Sequence, residues 1–323
     1  MHFGSLPYKT KQFFFVLIKL SIVVGAFYFI YHKLTNNRDL DFKQFLAFLS
    51  EKDVFSIKNI SFLVILSSLN WFFEILKWRT LVNSVSSINF TSATEQSLGS
   101  LTASLLTPNR IGEYGAKAMY YHASKRKQIM LLNLLGNVMQ MSITVIFGVI
   151  GCYVMYSKYD LNINYYKVIR LIMIILTIAF ITLFTLKQDK FKIKGFSLER
   201  LKHFFSQLSK QLIFKTFWLS AIRYLIFSFQ FYYLLLIFGV DVSYFNAMVV
   251  ITTMYLLASV IPAIFIFDVI IKGSVAIYLF TIVGVNEFSV LSIITLMWLL
   301  NFVLPSILGS YYVLNFKLSK AKP

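Results

Sequence analysis

The sequence predicts an all-α protein, a polytopic bundle of membrane helices, and three observations predict it. The chain has 323 residues, of which 58% are hydrophobic and only 14% are charged, whereas about a quarter of the residues of a soluble domain are charged. Apolar runs long enough to cross a bilayer as helices recur along nearly the whole chain. The short alternating segments typical of a membrane β-barrel are not seen. We therefore expect a single integral membrane domain over residues 1–323.

Six apolar runs have the length of full spans, and the first could be mistaken for a signal peptide. That run, 13–31, is longer than a typical signal-peptide core, and no small-residue cleavage site follows it. We therefore expect it to be retained. The six predicted spans are 13–31, 60–78, 129–156, 168–186, 212–238 and 288–314.

Two further apolar segments are interrupted. Segment 93–122 is broken at Pro108 and Gly112, and segment 245–281 is broken at Pro262. Each segment is either a re-entrant hairpin or a pair of spans, and both alternatives return the chain to the side it came from. With the six full spans, the hairpin interpretation gives about eight membrane segments.

The distribution of Lys and Arg predicts the orientation. Residues 187–215 contain eight Lys or Arg, so this loop should be cytoplasmic, and both termini then fall on the same side of the inner (plasma) membrane. The loops at 239–244 and 282–287 contain no Lys or Arg and should lie outside. Loop 32–58, also placed outside, has five and departs from the rule. The net charge of +18 is dispersed among the spans without a nucleic-acid-binding motif, so we expect no nucleic-acid partner.

Two loops contain amphipathic patterns. Apolar residues at helical spacing form one stripe in 42–49 and another in 198–212. Both stripes predict helices that lie in the membrane surface.

The two interrupted segments share a spacing of charged residues. In each, an acid follows the proline by five or six residues, and a lysine follows the acid by four: Pro108, Glu113 and Lys117, then Pro262, Asp268 and Lys272. This spacing divides the chain into halves at about 1–156 and 157–323. An odd number of spans separates the two segments, so they must enter the membrane from opposite sides. The result is an inverted repeat, an architecture common among secondary transporters.

Ionisable and amide side chains recur inside the predicted spans. A charge at the bilayer centre costs at least about 2.5–3.5 kcal/mol, so it normally faces a partner or a wet cavity. Arg223 is the deepest charge. Glu74 stands near the inner end of its span and can pair with Lys77. The polar stripes of the second, third and fifth spans include Asn70, Glu74, Asn137, Gln140 and Gln230. The amides either bond helix to helix or line a substrate path.

Each acid–lysine pair of the interrupted segments has the i,i+4 spacing and order that favour a helical ion pair. A structural role, neutralising two buried charges, is one interpretation. The other adds Arg110 and the helix start after Gly112, where unpaired N–H groups and a guanidinium suit a phosphate.

The stretch LLTPNRIGEYGAKAMYY, residues 105–121, resembles the signature of the lysylphosphatidylglycerol synthase transmembrane region family. Trp78-Arg79 and Arg223 also fit, and the resemblance covers nearly the whole chain. It implies a flippase-like bundle with two re-entrant hairpins that moves a polar-headed lipid between leaflets, here without the soluble synthase domain. Pro108, Arg110, Gly112, Glu113 and Lys117 match the first motif. Pro262 and Asp268 match the second loosely, because Phe265-Ile266-Phe267 replaces the glycines usual there.

The leading functional hypothesis is translocation of a phospholipid or polyprenyl-linked lipid. Arg110, Lys117, Arg223 and Lys272 would bind phosphate, and Glu113 and Asp268 would hold these cations or exchange protons. The four histidines are scattered and no catalytic or metal-binding motif occurs, so we expect neither enzyme activity nor a cofactor or metal. A membrane-embedded transferase and a non-transporting partner in envelope biogenesis are the alternatives.

Overall fold

The structure, a computed structural model, describes residues 42–51, 54–105, 107, 110–159, 203–260 and 265–316, together with positions 20, 21, 24 and 28. Every regular element within these ranges is helical. The helices are α1 (Phe42–Glu51), α2 (Ile57–Val82), α3 (Phe90–Ser104), α4 (Gly112–Met119), α5 (Arg126–Lys158), α6 (Lys210–Ile237), α7 (Tyr244–Val260), α8 (Phe265–Ile282), α9 (Glu287–Trp298) and α10 (Leu304–Asn315).

Four stretches are long and apolar enough to cross a membrane: α2, α5, α6 and the continuous run from α9 through α10. They coincide with four of the six predicted spans, so the helical membrane bundle is confirmed. The first predicted span is helical at its four described positions. The predicted span 168–186, Pro108, Pro262 and the side chains of Asp268 and Lys272 lie outside the described residues.

The first interrupted segment is a hairpin whose legs are too short to span. Helix α3 has 15 residues and α4 has 8, so they rise about 22 Å and 12 Å against roughly 30 Å of hydrocarbon. The base of the hairpin is closed by Ala93 and Ala118, which share one buried cluster. Across the same base, Lys125 donates to the carbonyl of Val85 at 3.3 Å. The chain therefore returns to the end of the bundle it left.

The second interrupted segment, α7 and α8, has its base at the other end of the bundle. Phe238 directly follows α6, and Val285 shortly precedes α9. Both belong to one buried cluster with Leu63 from the first turns of α2. The last residue of α2, Val82, packs instead with the base of the first hairpin. Because α2 runs from one end of the bundle to the other, the two hairpins open at opposite ends.

The centre of the bundle is the antiparallel pair α2 and α6, which the hairpins flank in a crossed arrangement. The first leg of the first hairpin, α3, packs against the final span at α10, and the first leg of the second hairpin, α7, packs against α5. Glycines permit both contacts. A Cβ at Gly309 would collide with the carbonyl of Leu98, and one at Gly151 would collide with the hydroxyl of Thr252.

The final span is not the uninterrupted α-helix that the sequence predicts. A π-helical turn, Leu299–Val303, separates α9 from α10. Pro305 has no N–H, so it cannot donate to the carbonyl of Asn301 four residues earlier. The indole N–H of Trp71 takes that place at 3.0 Å. The π-turn therefore coincides with a main-chain bond that Pro305 cannot make.

The predicted amphipathic segments differ from expectation in their surroundings. Helix α1 forms, but Leu49 is buried in the bundle and Phe48 stacks on Phe238 with ring centroids 5.2 Å apart. This part of α1 therefore packs on the bundle, and its position at the membrane surface stays a prediction. In the second segment, Phe204 and Leu208 pack beside the base of the first hairpin, and residues 198–202 lie outside the described residues.

Candidate functional site

The short helix α4 presents a triad of charges toward the interior. Glu113 contacts Lys117 at 2.7 Å, at the i,i+4 spacing that places side chains on one helical face, and contacts Arg110, in the turn before the helix, at 2.8 Å. Glu113 is buried and not directed at lipid. The predicted Glu113–Lys117 pair is therefore present. The triad of two cations and one carboxylate is the hairpin triad below.

Arg110 reaches this triad from a strained backbone. Its φ of +57° lies in the left-handed region, which is uncommon for a residue with a side chain. Such conformations cost of order 1–3 kcal/mol and cluster at functional sites. The guanidinium lies 5.3 Å from the centroid of the Phe302 ring, and its buried Nε has no hydrogen-bond partner.

The ammonium group of Lys117 makes further contacts with the neighbouring helices. Its Nζ donates to Asn133 at 2.8 Å and lies 4.1 Å from the centroid of the Trp78 ring. The Trp78 indole in turn donates to Gln96 at 2.9 Å. These contacts fix the hairpin against α2 and α5, so Lys117 has a structural role in addition to its charge.

The start of α4 has fewer unpaired N–H groups for a ligand than the sequence suggested. The N–H of Gly112 donates to the Thr107 hydroxyl at 2.9 Å, so this group is already satisfied. A Cβ at Gly112 would lie 2.8 Å from Cγ2 of Thr107. Glycine is thus required for this turn by close packing.

A second triad lies between the central spans. Glu74 contacts Lys77 at 2.7 Å and Arg223 at 2.8 Å, both through Oε2. The predicted pairing of Glu74 with Lys77 is therefore seen, with Arg223 added from α6. This set of two cations and one carboxylate is the span triad below.

A chain of buried amides continues from the span triad. Arg223 donates to Asn70 at 3.1 Å and to Gln140 at 3.4 Å. Asn70 donates to Asn301 at 2.8 Å, and Asn301 donates to Gln230 at 2.8 Å. Within the run from Glu287 to Asn315, which has 29 residues, Asn301 stands near the middle. The amide chain therefore crosses the core of the bundle at about half its depth.

The two triads face a cavity of about 30 Å³, which has room for about two water molecules. Arg110, Glu113 and Lys117 line one side and Glu74 and Arg223 the other. The remaining lining residues are Trp71, Ser97 and Asn137. Ser97 is 3% exposed, and its hydroxyl has no hydrogen-bond partner. The cavity is thus lined by charged groups and by an unpaired buried donor.

The cavity reaches the outer surface of the bundle at Asn137. This side chain is exposed and donates to the hydroxyl of Tyr114 at 2.9 Å. Ile111 and Met141, one helical turn from these two residues, are large exposed apolar side chains. A polar opening therefore lies within a surface suited to lipid.

A second cavity lies at the opposite end, at the base of the second hairpin. Its volume is about 910 Å³, and its lining residues include Asp241, Asn246 and Asn286. None of its described lining residues is Lys or Arg.

All the predicted site residues with described side chains come together. Arg110, Glu113, Lys117, Glu74, Asn137 and Arg223 line the small cavity, and Asn70 and Gln140 bond to Arg223. Sequence reasoning missed Ser97 and Asn301. Asn301 had a signal, because it is the sole Asn or Gln in 288–314. Ser97 had none, since serine is frequent in its segment.

These features define a class: an integral membrane helical bundle with one hairpin inserted between spans and a buried ionic site at its tip. The chain belongs to the lysylphosphatidylglycerol synthase TM region family, whose model matches residues 16–309. The family resemblance of residues 105–121 is thereby confirmed. Comparison with curated proteins and with solved structures gave no match.

Proposed function

We propose that this protein moves a phosphate-bearing lipid between the leaflets of the plasma membrane, with the headgroup passing through the small cavity. The observation behind the proposal is the pair of cationic triads deep in the bundle. Burying an ion costs several kcal/mol unless it is compensated, so four cations around two carboxylates favour an anionic ligand. The phosphate group of a membrane lipid is such an anion. The family is one of lipid-related membrane domains.

The opening at Asn137 supports a lipid and not a free solute. A translocated lipid keeps its tails in the bilayer while its headgroup moves through protein. A polar gap between exposed apolar residues such as Ile111 and Met141 suits this requirement. Beyond the cavity, the hydrogen-bonded amides Asn70, Asn301 and Gln230 would block the path. These hydrogen bonds must break for the headgroup to pass.

An inverted repeat of α2–α5 and α6–α10 is part of the proposal, and the helix pairings support it. The repeat matches α2 with α6, α3 with α7, α4 with α8, and α5 with the span α9–α10. Under this exchange the packing of α2 on α3 corresponds to that of α6 on α7, and the packing of α4 on α5 to that of α8 on α9. The packing of α3 on α10 corresponds to that of α7 on α5, and all of these pairs are observed. The pair α2 with α6 is its own mate. Under this symmetry Lys272 and Asp268 on α8 would serve the opposite leaflet as Lys117 and Glu113 serve theirs.

The orientation follows the distribution of basic residues. With residues 187–215 and both termini in the cytoplasm, the first hairpin opens to the cytoplasm and the second to the outside. The protein would act by binding and conformational change, without covalent chemistry on the lipid.

Proteoliposomes test the proposal. Tail-labelled anionic phospholipids are reconstituted with the full chain, and the rate at which label in the inner leaflet becomes accessible to an impermeant quencher is measured. We expect faster exchange than in empty vesicles and a loss of that gain in Arg223→Gln. Lys158→Gln is the control, since Lys158 is an exposed cation bonded to Asn246 at the far end. Wild-type exchange equal to that of empty vesicles for all anionic phospholipids would refute the proposal.

A further inference from the structure

The net charge of the cavity distinguishes between doubly and singly charged lipid headgroups. Resting on the proposed function, we infer that the site is built for a phosphate group with two negative charges, as in a lipid phosphomonoester or diphosphate, and not for a singly charged phosphodiester.

The two triads together carry more positive than negative charge. The hairpin triad has Arg110 and Lys117 around Glu113, and the span triad has Lys77 and Arg223 around Glu74. Each triad therefore has two positive charges, one negative charge and a net charge of +1. The lining members of the triads, Arg110, Lys117, Arg223, Glu113 and Glu74, sum to +1, and Lys77, which contacts Glu74 at 2.7 Å behind the lining, brings the two triads together to +2. No other charged side chain lines the cavity among the residues that the structure describes.

The carboxylates are already engaged. Each one contacts two cations at 2.7 to 2.8 Å, so neither is left to repel an anion alone. The triads come from different elements, one from α4 and the turn before it and one from α2 and α6. A ligand placed between them would meet one excess positive charge on each side.

Some buried polar atoms that line the cavity have no hydrogen-bond partner. Three buried polar atoms of lining residues have no hydrogen-bond partner: the Ser97 hydroxyl, the Nε of Arg110 and the Oε2 of Glu74. The Glu74 oxygen is held by its ion contacts to Lys77 and Arg223, which leaves the hydroxyl and the N–H for a ligand. An N–H can only donate, and a hydroxyl can donate. Phosphate oxygens are acceptors, and a monoester has one more ionisable oxygen than a diester. Charge and hydrogen bonding therefore favour the same ligand.

Two short-chain lipids with identical tails test the inference: dihexanoyl phosphatidic acid, a monoester, and dihexanoyl phosphatidylglycerol, a diester. Their dissociation constants are measured with the full chain in detergent at pH 8, where the monoester is a dianion because its second pKa is near 6. We expect the monoester to bind at least tenfold more tightly. The preference should shrink at pH 5.5, where the monoester loses its second charge.

Variants of the triads check the count. Arg223→Gln lowers the excess charge to +1 and should reduce the preference for the monoester, whereas Lys158→Gln should leave it unchanged. Equal or tighter binding of the diester at pH 8 would overturn the inference and leave lipid translocation standing. Binding of neither lipid would overturn both.

A soluble probe separates a lipid from a free phosphate. Glycerol 3-phosphate has the same dianion without tails. Much weaker binding than phosphatidic acid is expected if the ligand is a lipid. Equal binding would uphold a dianion site but contradict the translocation of lipid.

Discussion

Glu74 and Glu113 each contact two cations, one a buried lysine and the other an arginine, Arg223 or Arg110, that is 22% or 30% exposed. Removing one member of a buried ionic group leaves the others uncompensated, which costs more than the group contributes when complete. The stability of the site and its affinity for anions are therefore coupled at the level of single side chains.

Glu74→Gln should destabilise the protein strongly. Without the carboxylate, Lys77 and Arg223 would face each other inside the bundle, at a cost of about 3–5 kcal/mol. The melting temperature in detergent measures the effect. Glu95→Gln, a matched change near the base of the hairpin, should stay within about 0.5 kcal/mol of the wild type. Similar stabilities of the two variants would show that the span triad is not an energetic centre.

Gly112→Ala should destabilise the hairpin because the new Cβ would lie 2.8 Å from Cγ2 of Thr107. Thr107 is β-branched and its hydroxyl bonds both Ser104 and Gly112, so it cannot turn away without losing bonds. A loss of about 1–3 kcal/mol is expected. Gly115→Ala, on the same helix with open space around it, should be neutral or stabilising by up to about 1 kcal/mol.

At the scale of elements, the packing of α3 on α10 depends on a glycine. A Cβ at Gly309 would collide with the carbonyl of Leu98, a main-chain atom that cannot rotate away. Gly309→Ala should therefore separate the first hairpin from the final span and slow lipid exchange in proteoliposomes. Gly273→Ala, whose Cβ would meet its nearest neighbour at 3.6 Å, should leave exchange unchanged. Equal rates for both variants would contradict the importance of this contact.

The elements show what the sequence could and could not predict. The break in the first hairpin was predictable from Gly112, and the four described spans from apolar length. Pro305 indicates a missing main-chain bond in the final span, but the group that replaces it, the indole of Trp71 230 positions away, was not predictable. The site was predictable in part, since buried charges had to meet partners. Which charges met, as in Glu74 with Arg223, required the packing of α2 on α6.

At the scale of the whole molecule, lipid translocation by an inverted repeat requires that the two hairpins open on opposite faces of the membrane. Ala123 and Asp241 are exposed residues at the bases of the first and second hairpins. With the single cysteine changed, Cys152→Ser, each position is tested as a lone cysteine in intact cells with an impermeant maleimide. Asp241→Cys should react in intact cells, and Ala123→Cys only after permeabilisation. Reaction of both in intact cells would contradict the inverted arrangement.

The most direct test of the claim that the headgroup passes between the triads is chemical modification of Ser97→Cys in the Cys152→Ser background. A small methanethiosulfonate reagent should reach this buried thiol through the opening at Asn137 and modify it. The modification should stop lipid exchange in proteoliposomes. An anionic phospholipid should slow the rate of modification. Exchange that continues at the full rate after complete modification would contradict the account.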